Sequence, residues 1–241
     1  MLDFLGIGAQ KSGTTWLYTM LQHHPRVRFP DRKEVHYWNA PAPPPLEWYQ
    51  GLFEGEGCWG DITPAYQVLP VEKIREIRAA FPAVRIVFSL RNPIDRAWSA
   101  AKMALQRAQL QLHEASDQWF IDHFRSSASR LRGDYVTSIR NWRSVFPSEQ
   151  LAIYRYEQMV HEPNALLVSV AEHLGLAPEV FATLPPEVTG ERVFASMNAE
   201  LREPLRAVLT ELYRDRILEL EDYMQLDLRA WRAEFSEGAA R

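Results

Sequence analysis

Residues 8–16 read GAQKSGTTW and follow directly on an apolar run, LDFLGI. Glycine, lysine, serine and threonine packed this closely after a strand-like segment suit the binding of a phosphate. Gly13 falls where the chain must turn sharply and let an anion approach its backbone. The N–H groups of Ser12 to Thr15 then point outward from a helix N-terminus, where unpaired donors and the helix dipole both favour negative charge. Lys11 adds a mobile positive charge, and Thr14 and Thr15 add hydroxyl donors. The triphosphate loop GxxxxGK[ST] places its lysine after the second glycine and uses the next hydroxyl to bind magnesium. Here Lys11 precedes Gly13, so the chemistry is that of a phosphate without the mark of a magnesium-bound triphosphate.

A second anion-binding pattern lies in VFSLRNPIDRAWS. Arg91 follows a second apolar run, where its planar fork can grip a phosphate bidentately. Ser99 comes about two turns into the next helix, and helical side chains tilt back toward the helix start, so its hydroxyl approaches the same region. A third stretch, DRKEVHYW, supplies two candidate proton acceptors. In an extended segment Glu34 and His36 project on one face, because side chains alternate with period two. A surface ion pair with Lys33 or Arg32 is the competing reading for Glu34. His113 and His123 show no recognisable metal spacing, and no metal site is expected.

These residues need a scaffold, and the pattern of apolar residues describes one. Leu2 to Ile7 reads as a buried strand, and Thr14 to His23 carries Trp16, Leu17, Met20 and Leu21 at helical spacing before Pro25. PVEKIREIRAAFP places Ile74, Ile77 and Phe81 on one helical stripe, and Val84 to Leu90 forms a second buried strand. Asn92 and Pro93 mark an N-cap and a first helical residue. A strand over Leu151 to Tyr156, a helix in NALLVSVAEHLGL and a long helix from about Glu203 to Tyr223 complete the pattern. Strands alternating with helices predict an α/β fold, one domain over residues 1–241, with a central parallel sheet flanked by helices. Ligands of such sheets bind beyond the carboxyl ends of the strands. Ala40 to Trp48 is a stiff proline-rich surface loop, and Arg107 to Arg132 is a helical excursion or a lid. The aromatic set Trp38, Trp48, Tyr49, Trp59 and Tyr66 is either a wall for an acceptor or core packing.

A chain of 241 residues with a net charge of -4 has no bulk attraction for nucleic acid, so any anion site must be built locally. The single cysteine, Cys58, excludes an internal disulfide. No segment reads as a signal peptide or approaches the ~20 apolar residues of a membrane span, which leads to the expectation of a soluble, cytoplasmic protein without a membrane segment.

QKSGTTWL resembles the 5'-phosphosulfate loop of sulfotransferases that use 3'-phosphoadenosine-5'-phosphosulfate (PAPS), and VFSLRNPIDRAWS resembles their 3'-phosphate element. RGDYVTSIRNWRSVFPSEQLAIYRYEQMV is similar to a further family segment, with Gly133, Tyr135, Trp142, Phe146 and Pro147 in matching places. The resemblance implies the family's P-loop-NTPase-like sulfotransferase fold. It also implies PAPS as donor, adenosine-3',5'-bisphosphate (PAP) as product, and transfer of a sulfuryl group to a hydroxyl or amine of a small-molecule or carbohydrate acceptor. Cofactor binding falls on Lys11, Ser12, Gly13, Thr14, Thr15, Trp16, Arg91 and Ser99, with Arg192 in a basic loop that holds the nucleotide. Lys11 neutralises charge on the leaving phosphate. KEVHYW looks like the KExHYF segment of the glycosaminoglycan branch, which makes Glu34 the catalytic base and His36 its assistant. GDITPAYQ departs from that branch's EKTPAYF by carrying Asp61 and Ile62, so the lysine that approaches an acceptor there is absent. The alternatives are a nucleotide-dependent kinase and a noncatalytic nucleotide-binding protein of the same fold.

Overall fold

The computed structural model describes residues 1–190, 199–233 and 235. The N-terminal apolar run forms β1 (Leu2–Gly8), and the lysine loop leads into α1 (Thr14–Leu21). There follow β2 (Val27–Arg28), α2 (Leu46–Gln50), β3 (Cys58–Ile62), a 3-10 turn over Pro64–Val68, α3 (Val71–Ala80) and β4 (Arg85–Leu90). The central part of the chain is helical: α4 (Pro93–Arg107), α5 (Asp117–Arg125), α6 (Ser127–Gly133) and α7 (Tyr135–Arg143). β5 (Leu151–Arg155), α8 (Tyr156–His161), α9 (Pro163–Leu174), α10 (Glu179–Ala182) and α11 (Pro186–Thr189) come next, and α12 (Glu203–Met224) and α13 (Arg229–Arg232) close the chain.

The chain divides into two compact units, Met1–Leu90 with the segment from Arg140, and Arg91–Ile139 with the C-terminal segment. The first contains the whole sheet, in the order β2-β3-β1-β4-β5, with every neighbouring pair parallel. β1 is central, and its run of apolar residues without alternation is what a strand covered on both faces requires. On one face Phe4, Ile62 and Val87 pack with Leu17, Met20 and Leu21 of α1 and with Leu166, Leu167, Val170 and Leu174 of α9. Emptying any one such position costs about 2–5 kcal/mol. The α/β class with a parallel sheet flanked by helices is therefore as the apolar pattern predicts.

The second unit is helical. α12 buries Leu205, Leu209, Tyr213, Ile217 and Leu220 at steps of three and four residues, the stripe of a helix packed along one side. Arg96 of α4 is fully buried, and its Nη2 donates to the Ser129 carbonyl (3.0 Å), the Ser129 hydroxyl (3.2 Å) and the Tyr213 hydroxyl (3.3 Å).

Differences from the sequence expectation are local. α1 ends at Leu21 rather than His23, and β5 ends at Arg155 because Tyr156 already opens α8. The proline-rich loop stops at Pro45, where α2 begins. Residues 107–132 are mainly helical, in α5 and α6, and Ser116 caps α5 by accepting from the Trp119 N–H at 3.2 Å. No helix among the described residues is long and apolar enough to cross a membrane.

Candidate functional site

β1 delivers the lysine loop at its carboxyl end. Lys11 (φ 71°) and Gly13 (φ 82°) both adopt left-handed conformations on either side of Ser12, whose N–H bonds back to the Ala9 carbonyl at 3.2 Å. Alternation of this kind favours an anion-binding concavity, but the Ser12 N–H, expected to point outward, is committed to Ala9, which leaves the start of α1 from Gly13 onward to supply the donors. Gly13 is the N-cap of α1 with no side-chain capping bond, and the first turn of α1 contains no acidic residue. The Ser12 hydroxyl is fully buried and has no hydrogen-bond partner. The position of Gly13 has a second cause that spacing does not show: a Cβ there would lie 2.3 Å from Met159 Sδ of α8. Its lack of a side chain thus serves the turn and the packing of α8. Thr14 is buried and Thr15 half-buried, while the Trp16 indole N–H donates to the Thr189 carbonyl at 2.8 Å and ties α1 to α11.

The Glu34–His36 pair is brought together, but not by a regular extended segment. His36 has φ 59°, and its Nε2 lies 3.1 Å from Glu34 Oε2. Lys33 Nζ meets the other carboxylate oxygen at 2.9 Å, so the ion pair considered as the competing reading is present alongside the histidine contact. His36 Nδ1 faces Asn39 Oδ1 at 3.1 Å. Both ring nitrogens thus face side-chain oxygens, one of Glu34 and one of Asn39. The side chains of Glu34 and His36 are 39 % and 49 % exposed, whereas those of the neighbouring Val35 and Tyr37 turn inward.

What holds that segment is a group of residues that sequence reasoning treated only as a departure or as possible acceptor wall. Asp61 of β3 is fully buried and accepts from the hydroxyls of Thr63 (2.7 Å), Tyr49 (2.8 Å) and Tyr66 (2.9 Å). Thr63 Oγ1 in turn accepts from the Val35 N–H at 3.0 Å, and the Tyr66 hydroxyl from the Tyr37 N–H at 3.0 Å. Burial pushes the Asp61 carboxyl up, opposed by its hydroxyl donors, and burial together with that carboxylate pushes both tyrosines up. The available signal was the alternation of Asp61 and Thr63 along a strand end, with Tyr66 three residues on. Tyr49 and Tyr66 are core, as Tyr49 stacks on Tyr37 at 4.5 Å and meets Phe53 edge-on at 4.9 Å, whereas Trp48 is exposed.

Arg91 and Ser99 lie in the second unit. Arg91 follows β4 directly and its carbonyl accepts from the Tyr135 hydroxyl at 2.8 Å. Asn92 caps α4, its side chain accepting from the Ile94 N–H at 3.1 Å, with Pro93 at the first helical position as expected. Ser99 is buried on α4, and one turn on Lys102 is buried too, its Nζ 5.4 Å from the centre of the Trp98 ring. Burial, then the like charge of Arg91, lower the Lys102 pKa, opposed by Asp95. Lys102 was missed in the sequence, although its three-residue step from Ser99 puts it on the same helix face. Arg192 lies outside the described residues. Among the described residues no group of three or more His, Cys, Asp or Glu side chains could hold a metal ion.

A family model described as "Sulfotransferase domain" matches residues 2–193. The bifunctional heparan sulfate N-deacetylase/N-sulfotransferase 2 of Homo sapiens is 30 % identical over 203 residues, 73 % of this chain and 22 % of that protein. Heparan sulfate glucosamine 3-O-sulfotransferase 6 of Mus musculus is 28 % identical over 185 residues, 70 % of this chain and 51 % of that protein. The chain therefore spans about a fifth to a half of the length of these relatives. Among solved structures, a sulfotransferase from Alicyclobacillus acidocaldarius has a TM-score of 0.75 at 24 % identity, covering 96 % of this chain and 99 % of that one. Mouse sulfotransferase SULT7A1 complexed with PAP has a TM-score of 0.59 at 14 % identity, covering 100 % of this chain and 89 % of that one. These structural likenesses speak for the fold.

Proposed function

The chain belongs to the sulfotransferase domain family, and from that premise we propose that it moves a sulfuryl group from PAPS to a hydroxyl or amine of a carbohydrate or small-molecule acceptor. The observation that carries this reading is the loop at the end of β1. Left-handed Lys11 and Gly13, a helix start without a side-chain cap and the buried, partnerless Ser12 hydroxyl together suit the 5'-phosphate of such a donor. When bound, the donor supplies a sulfuryl group on a good leaving phosphate.

Transfer of this kind spreads charge over terminal oxygens, so positioning and electrostatic stabilisation do much of the work. Lys11 neutralises the charge that grows on the departing phosphate, and the N–H groups at the start of α1 with Thr14 and Thr15 orient it. Glu34 takes the proton from the acceptor. Its carboxylate keeps lone pairs for that proton while also accepting from Lys33 and His36. The family motif assigns the 3'-phosphate to Arg91 and Ser99. A carbohydrate acceptor is supported by the printed names of the heparan sulfate relatives. Ile62, buried where that branch carries a lysine, favours an acceptor less anionic than a sulfated polysaccharide.

The test is calorimetric titration of PAP in EDTA, followed by a panel of sugar, phenol and amine acceptors with PAPS, read as an 80 Da mass gain, about the mass of SO3. Micromolar PAP binding without magnesium and a sulfated product support the proposal. Binding of ATP with magnesium in preference to PAP overturns it.

A further inference from the structure

The backbone of the Lys33–Trp38 segment is held by residues far along the chain. The N–H groups of Val35 and Tyr37, on either side of His36, end on the hydroxyls of Thr63 and Tyr66 at 3.0 Å each. A hydroxyl has one proton and two lone pairs. Thr63 and Tyr66 both commit that proton to Asp61, at 2.7 and 2.9 Å, which leaves their lone pairs to face the backbone. Tyr49 supplies the third donor, at 2.8 Å. The carboxylate thus sets the direction of the hydrogen bonds that hold the Val35 and Tyr37 amides. Val35 and Tyr37, pinned and buried, leave Glu34 and His36 to alternate outward, and His36 keeps its left-handed φ of 59° between the two pinned amides. Such a conformation is unfavourable for a residue with a Cβ and persists where its surroundings over-determine it.

From this chain of contacts we infer that Asp61 is a positioning residue for catalysis: by orienting the Thr63 and Tyr66 hydroxyls as acceptors, it fixes the backbone that presents Glu34 and His36. The inference rests on the reading of Glu34 as the base. It assigns Asp61 no contact with donor or acceptor, since the side chain is fully buried. In this chain the acidic residue of GDITPAYQ has neutral hydroxyls as its hydrogen-bond partners, and its neighbour Ile62 belongs to the core.

The experiment measures kcat, KM for the acceptor, PAP affinity and hydrogen exchange of the peptide spanning residues 33–38. It compares the wild type with Asp61→Asn, Tyr66→Phe, Glu34→Gln and the double variant Glu34→Gln/Tyr66→Phe. An asparagine at 61 offers an N–H2 to a site built for three donors, and Tyr66→Phe removes the acceptor for the Tyr37 N–H together with one of the donors to Asp61. Expected for Asp61→Asn and for Tyr66→Phe are faster exchange in 33–38, a fall in kcat of about tenfold, and PAP affinity within about twofold of wild type. On the Glu34→Gln background Tyr66→Phe should cost little further, because there is no base left to place. Unchanged exchange or unchanged kcat in both Asp61→Asn and Tyr66→Phe overturns the inference, as does a full, additive loss in the double variant. Glu34→Gln with wild-type turnover overturns the base assignment itself. That result is separable from a crippled Glu34→Gln beside an active Asp61→Asn, which overturns the positioning role alone. Should Asp61→Asn fail to fold, Tyr66→Phe carries the same test.

Discussion

The lysine loop and the Glu34 segment sit in the same unit and are built in opposite ways. The loop is local: its turn comes from its own left-handed residues, its donors from the start of α1, and its charge from Lys11, all within residues 8–17. The Glu34 segment has no regular structure of its own and is held by hydroxyls 28 and 29 residues further along the chain. A binding element can thus be encoded in consecutive residues, whereas the element proposed to carry the proton is only as well placed as the buried carboxylate beneath it. Changes in the loop should therefore act on the donor, and changes around Asp61 on the acceptor's proton.

The largest separation is expected from Lys11→Ala. Loss of the charge proposed to neutralise the leaving phosphate should lower kcat by roughly 10³-fold, while exchange in residues 33–38 stays as in wild type; a faster-exchanging segment would break the independence of the two regions. Glu34→Gln should lower kcat by roughly 10²-fold and leave PAP affinity unchanged, as measured by steady-state kinetics and calorimetry. Gly13→Ala tests the local side. Its φ of 82° is unfavourable by about 1–2 kcal/mol for a residue with a Cβ, and that Cβ would meet Met159. PAP should bind about tenfold more weakly, with little change in exchange at 33–38.

The smallest effect is a shared one, through the sheet and its covering helices. Burial lowers the pKa of His24, which follows α1, and of His173, whose Nε2 lies 3.1 Å from the Ile86 carbonyl of β4. Burial also lowers that of His123 in the second unit. A lowered folded-state pKa means that the unfolded chain binds more protons below its own value of about 6.5. Stability from these groups is complete above that pH and is lost as the pH falls below it. Melting temperatures between pH 7.5 and 5 should fall on acidification, and His173→Gln should flatten the slope. Loop and Glu34 segment should lose protection together in that range, in contrast to the point variants.

β1, β4 and β5 were legible because each is a run of five to seven mostly apolar residues between turn signals, and the lysine loop because its chemistry is contiguous; β2, two residues long, and β3, which carries Gly60 and Asp61, offer no such run and were not foreseen. Asn92 and Pro93 announced α4 by the same local logic. Less was legible where a residue's role depends on what is folded against it. Gly13 answers to Met159 as well as to its own turn, and Tyr49 and Tyr66 are core residues that hold a carboxylate rather than parts of a wall. Glu34 and His36 were found as a pair, but through an extended segment that His36 does not adopt.

By itself the sequence determined the α/β class, the strand–loop–helix unit and a lysine loop whose residue types suit a phosphate, since each depends on residues adjacent along the chain. The tertiary structure decided the fate of Asp61. An aspartate in GDITP has no role until β3 carries it into the core and folding supplies the hydroxyls of Tyr49, Thr63 and Tyr66 to offset its desolvation. That offset is a property of distances between remote residues, and only the folded chain brings them together.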